Sequence, residues 1–122
     1  MPSRLRLRQR LMFGNAIALG PGKAELLQHI ADCGSISAAA RRMGMSYRRA
    51  WLLVETMNQC FRAPLIETAA GGKGGGGAAL TSLGQQVLIH YKRIQTLAEA
   101  ATAGELDELE GLLAAAPPAD PH

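Results

Sequence analysis

The chain has 122 residues, 48% hydrophobic and 19% charged, with a formal net charge of +3. That length favours one domain, no apolar run is long enough to span a membrane, and the alternating N-terminus does not read as a signal peptide. Cys33 and Cys60 have neither metal-ligand spacing nor the numbers of a disulfide framework, so free, buried thiols in a reducing cytoplasm are expected.

The charge is unevenly spread. Residues 1–96 hold all 13 Lys and Arg against four acids (Glu25, Asp32, Glu55 and Glu67), a balance of +9. Residues 97–122 hold six acids and no Lys or Arg, a balance of −6. Ten of the cations are Arg, the better fork for bases and phosphates. Such a domain attracts polyanions, and the acidic tail is in a position to compete with them.

Residues 4–13 alternate, with Leu5, Leu7, Leu11 and Phe13 on one side and Arg4, Arg6, Arg8 and Arg10 on the other. This is the pattern of a half-buried strand, and the row of arginines reads two ways, as phosphate contacts or, more often, as the solvated face of the strand. Gly14-Asn15 suits a two-residue hairpin turn, with Ala16 to Leu19 as the returning strand. Pro21 opens a helix after Gly20. Its apolar stripe is Ala24, Leu27, Ile30 and Ala31, and Gly34 ends it.

Residues 34–59 read as two helices joined by a tight turn. Ser37 is the expected N-cap of the first, Gly44 its left-handed end, and Ser46 the cap of the second. Ala50, Val54 and Met57 follow the spacing of one buried face. Tyr47, Arg48 and Trp51 lie off that face, near the helix N-terminus. This is the layout of a helix-turn-helix, whose second helix meets base edges in the major groove. Trp51 reads two ways, packed between helices or laid against the groove.

Two short extended segments follow, Pro64 to Thr68 and Ala78 to Thr81, around the glycine run Gly71 to Gly77 that contains Lys73. The run formally matches G-x-G-x-x-G, yet a short extended segment follows it where a dinucleotide site needs a helix. A P-loop needs Ser or Thr after its Lys, and Gly74 follows Lys73. The pattern reads as a wing with Lys73 at its tip. A last helix starts near Ser82, with Gln85 completing a capping box. Val87, Tyr91, Ile94 and Ala98 make a stripe on it that a monomer of this size would leave wet. Ala103-Gly104 is expected to break it. Residues 104–122 then read as an acidic helical tail (Leu106, Leu109, Leu112, Leu113) ending in a disordered Pro-rich segment.

The stretches Ser35-Ile36-Ser37-Ala38-Ala39-Ala40, Met45-Ser46-Tyr47-Arg48-Arg49-Ala50-Trp51, Met57-Asn58 and Glu67 to Thr81 resemble the N-terminal domain of ModE-type molybdate-dependent transcriptional regulators. A looser likeness to LysR-type regulators covers the same helix-turn-helix and the Leu-Thr-x-x-Gly at residues 80–84. The resemblance implies a winged helix-turn-helix that dimerises and binds operators of molybdate-uptake or molybdoenzyme genes. It places Ser35 and Ser37 near the DNA backbone, Ser46, Tyr47, Arg48 and Arg49 at the groove, and Lys73 in the wing. The Ser-Ala-Arg-Asn signature of the Mop-type oxyanion domains of full-length members does not occur in this sequence. Direct molybdate binding by this chain is therefore not expected.

The fold expected is mainly α with small β elements: a winged helix-turn-helix over residues 1–103, an N-terminal β-hairpin, and a dimerisation helix at 82–103. The expected activity is sequence-specific binding of double-stranded DNA as a homodimer, with no cofactor, metal or catalytic set. In that reading Arg48 or Arg49 offers a bidentate fork to guanine, and Tyr47 reaches a thymine methyl or a phosphate. Two rivals are a winged helix used only to bind protein, and a phosphate-binding enzyme built on the glycine run.

Overall fold

A computed structural model describes residues 4–69 and 77–119 of the chain. The first element is a hairpin, β1 (Leu11–Phe13) and β2 (Ala16–Leu19), paired antiparallel with Phe13 opposite Ala16. Gly14 makes the two-residue turn by taking φ +62°, a left-handed value open to glycine. The strand is shorter than the alternation implies. Residues 5–10 form no ladder, although Leu5, Leu7 and Gln9 are half-buried and the four arginines exposed. Phe13 leaves the pattern and is 67% exposed. Between Leu11 and Met12 the partner jumps from Leu19 to Ile17, and such an irregularity re-aims the side chains beyond it.

Three helices follow: α1 (Pro21–Cys33), α2 (Ile36–Met43) and α3 (Tyr47–Cys60). Gly34 and Gly44 end α1 and α2 at φ +75° and +67°. The cap of α2 is Ser35 rather than Ser37: the Ala38 N–H donates to Ser35 Oγ at 3.0 Å. Ile36 is buried in the core, so the helix must start there, which leaves Ser37 exposed inside the first turn. Ser46 caps α3 through the Arg49 N–H at 3.1 Å. Leu19, Leu26, Leu27, Ile30, Met57 and Leu65 are the large, fully buried side chains. Ala39, Ala40 and Ala50 let α2 and α3 approach closely. Leu26 joins the expected stripe of α1, whereas Ala31 is exposed. Cys33 and Cys60 are free thiols, half-buried rather than buried.

Strands β3 (Ile66–Thr68) and β4 (Ala78–Leu80) pair antiparallel, Ile66 opposite Leu80. The glycine run up to Gly76, with Lys73, lies outside the described residues, as do residues 120–122.

The last helix, α4, runs unbroken from Ser82 to Glu110. Its cap is Thr81, not Ser82. Thr81 Oγ1 accepts from the Gly84 N–H at 3.0 Å and donates to the Pro64 carbonyl at 2.8 Å. Gly104 does not break the helix, because an exposed helical glycine costs only about 1 kcal/mol. Residues 104–110 therefore extend α4 instead of forming a separate tail helix, and they do not fold back onto Val87 to Ala98. Beyond Glu110 the chain meets its own N-terminal segment. Arg4 Nε pairs with Glu110 Oε1 at 2.9 Å, and its guanidinium donates to the Ala115 carbonyl at 3.0 Å. Among the described residues no helix is long and apolar enough to cross a membrane.

Candidate nucleic-acid interface

Three buried residues, Ala50, Val54 and Met57, fix how α3 is rotated. At about 100° per residue, the direction opposite them belongs to Arg48 and Leu52. Both are exposed. Tyr47 and Trp51, one turn apart, flank that outward face on one side, and Arg49 and Leu53 flank it on the other. The first turn of α3 thus carries three large side chains, Tyr47, Arg48 and Arg49, that the core does not use.

On the Tyr47 side lies a polar cleft of about 570 Å³ between α2, α3 and the wing. Ser35, Ser37 and Arg41 line it from α2 and its cap, and Thr68, Ala69 and Gly77 from the wing. Trp51, 44% exposed, lines it too and is not packed between helices. Ser35 Oγ already accepts from the Ala38 amide, which leaves its hydroxyl hydrogen to donate to an anionic ligand. Arg41 was not singled out by the sequence. It stands in the last turn of α2 and is brought to the cleft by the tight turn at Gly44.

Backbone contacts hold the wing against this cleft. The Ala78 N–H donates to the Gly34 carbonyl at 2.8 Å, and the Ala69 N–H to the Gly77 carbonyl at 2.9 Å. Asn58, at the end of α3, accepts from the Leu65 and Ile66 amides at 2.8 and 3.3 Å and donates to the Ile66 carbonyl at 3.4 Å. On the far side, a Cβ on Gly84 would stand 2.1 Å from the Leu65 carbonyl oxygen, so only glycine lets α4 come this close. The recognition helix, the wing and α4 are therefore locked together at residues 64–66.

Of the residues the sequence singled out, Ser35, Ser37, Tyr47 and Trp51 line one cleft, and Arg48 stands at the outward face between its two flanks. Ser46 is exposed and serves as a cap. Lys73 lies outside the described residues. The stripe on α4 divides: Tyr91 is 3% exposed within the single chain, its hydroxyl donating to the Gln9 carbonyl at 2.9 Å. Val87 and Ala98 are half-buried, and Ile94 is exposed. Among the described residues, no group of three or more His, Cys, Asp or Glu is placed to hold a metal.

A helix-turn-helix of this rotation, followed at once by a two-stranded wing, defines a winged helix-turn-helix domain. The chain belongs to the bacterial regulatory helix-turn-helix family of the lysR type, whose model matches residues 22–85. It is similar to the molybdenum-pterin-binding protein MopB of Rhodobacter capsulatus, 46% identical over 77 residues, which are 63% of this chain and 28% of that protein. The DNA-binding transcriptional dual regulator ModE of Escherichia coli K12 is 45% identical over 87 residues, 71% and 31% of the two chains. The transcriptional regulator ModE of Yersinia pestis is 39% identical over 114 residues, 91% and 41%. The chain thus spans between 28% and 41% of the length of these curated relatives. The likeness to the N-terminal domain of ModE-type regulators, drawn above from the motifs, agrees with these matches.

Proposed function

We propose that the chain is the DNA-reading part of a transcription regulator that engages operator DNA as a homodimer. The observation that carries this reading is the rotation of α3, which turns Arg48 and Leu52 outward between two flanks and leaves Tyr47, Arg48 and Arg49 of the first turn outside the core. Arg48 reads a base edge by its bidentate fork, and Tyr47, Trp51, Ser37 and Arg41 line the path of a strand between α3 and the wing. Ser35, through its hydroxyl, and Lys73, in the wing loop, complete the backbone contacts. The names of the relatives point to molybdenum metabolism, and we place the targets among molybdate-uptake or molybdoenzyme genes.

The dimer is supported by the middle of α4. Ile94 and Leu97 are exposed there, with Ala98 beside them. Val87 and Tyr91 continue the same line, though Tyr91 meets the chain's own N-terminal segment first. A two-fold pair would set two recognition helices about 34 Å apart, one turn of duplex.

Titration of labelled duplexes, bearing operators selected from genomic DNA, across a salt series tests the reading. Binding should be preferential for one site, with log affinity falling linearly against log salt. A chain that binds duplex without salt dependence, or not at all, is a protein-interaction module instead.

A further inference from the structure

On the side of α3 away from the wing, a second cleft of about 340 Å³ opens towards the N-terminal segment and the start of α1. Arg8, Arg10, Lys23 and Arg49 line it, and no carboxylate does. Met45 and Leu53 supply apolar wall. Among the described residues, none of the four cations takes part in an ion pair. The Arg10 stem lies over Gly20, where an added Cβ would be 3.5 Å from Arg10 Cγ. Lys23 Nζ donates to the Ile17 carbonyl, which holds the ammonium at the cleft rather than in open solvent.

Four like charges facing one small volume repel one another, and no carboxylate lines the cleft to offset them. Three are guanidinium groups, whose planar forks match a phosphate's oxygens. Arg49 sets the location: it is on the recognition helix, about 100° around from the Arg48 face. We propose that this cleft seats a phosphodiester of the DNA strand that runs past α3 on the side opposite the wing. The proposal rests on the DNA-binding reading and extends it. The N-terminal segment becomes a second backbone clamp, so that wing and segment straddle the recognition helix. Arg49 then anchors phosphate, and base reading falls to Arg48.

The test compares the full chain with Arg8→Gln/Arg10→Gln and with Arg8→Lys/Arg10→Lys on one operator duplex, over a salt series. The glutamine pair should weaken all duplexes alike, leave the ranking of single-base-pair operator variants unchanged, and make the salt slope shallower by about 0.9, the share of one phosphate. The lysine pair should retain most of the slope. Neutral methylphosphonates placed singly at the phosphates flanking the site should weaken the unaltered chain at one position and leave the glutamine pair unaffected there. A glutamine pair with the same affinity and slope as the unaltered chain overturns the proposal. So does saturable binding of free inorganic phosphate that the glutamine pair abolishes while duplex binding persists undiminished, which would assign the cleft to a free anion. If the unaltered chain shows no salt-dependent duplex binding, the DNA-binding reading itself has failed, and the clamp with it.

Discussion

Asn58 ties the recognition helix to the wing through a side chain that satisfies three backbone groups. Replacing it with alanine strands the amides of Leu65 and Ile66, both buried residues, and should cost about 1–3 kcal/mol in urea unfolding. Two glycines of α4 make a contrasting pair. Gly84→Ala gains about 1 kcal/mol of helix propensity but drives a methyl into the Leu65 carbonyl, a backbone atom that cannot swing aside, so the melting temperature should fall. Gly104→Ala meets nothing within 4 Å and should raise it. If both move the same way, the close approach at Leu65 is not what selects glycine at position 84. For the interface, Arg48→Ala should cost about 1–3 kcal/mol on the cognate site and relax preference at one base pair; Arg49→Ala should weaken cognate and non-cognate duplexes more evenly. Legibility at this scale follows locality. Gly34, Gly44 and Ser46 are readable because each acts on its own backbone or on an amide three residues away. Ser35 and Ser37 could not be separated without knowing that Ile36 is in the core, and Asn58 reaches partners seven and eight residues on.

At the scale of elements, α1 to α3 and both strand pairs follow from apolar spacing and turn residues. The end of α4 does not, because one exposed glycine is a weak stop for a helix whose next turns remain good helix formers. The expected strand over residues 4–13 shows the opposite error. Over residues 4–10 its alternation is real, yet it reflects a segment lying with one side on the protein, without a neighbour to supply a ladder; only Leu11–Phe13 pairs, with β2. That segment meets α4 at Tyr91. Burial pushes the Tyr91 phenol above its ordinary value, and the Arg8 guanidinium offsets part of that rise. The neutral phenol is therefore favoured by folding. This contribution is complete below about pH 10, where the unfolded side chain begins to ionise, and is lost as pH rises towards the folded value. Stability measured from pH 8 upward should decline from about pH 10, and Tyr91→Phe should flatten that decline. An equal decline in both proteins would place its origin elsewhere. On the same helix Ile94 is exposed in the single chain, so Ile94→Glu should reduce self-association in sedimentation and weaken operator binding while leaving the helix content by circular dichroism unchanged.

Seen whole, the molecule divides its charge by position in the chain, and the fold brings the two ends together. Arg41 stands on the wing side of α3, and Arg8, Arg10 and Lys23 face Arg49 on the other. Glu99, Glu105, Asp107, Glu108 and Glu110 lie along the far part of α4, where Glu110 takes Arg4. The overall asymmetry was plain in the sequence, but the convergence of Arg8 and Arg10 with Arg49 was not. A row of strand arginines looks the same whether it faces solvent or the flank of another element 39 residues away, and only the tertiary placement of α3 distinguishes the two.

From Ser82 to Glu110 no interruption divides α4, so the angle between any two of its side chains is set by counting residues, at about 100° each. Tyr91 meets Gln9 in the first half of the helix, and Glu110 meets Arg4 at its far end. The two contacts stay in phase only at this spacing. A single alanine inserted after Ala98 would turn Glu110 about 100° around the axis and advance it about 1.5 Å, away from Arg4. Seven inserted residues would restore the angle to within about 20° but carry Glu110 about 10 Å too far along. The helix thus behaves as a keyed shaft, and one added residue would uncouple its two ends without altering any group that either contact uses.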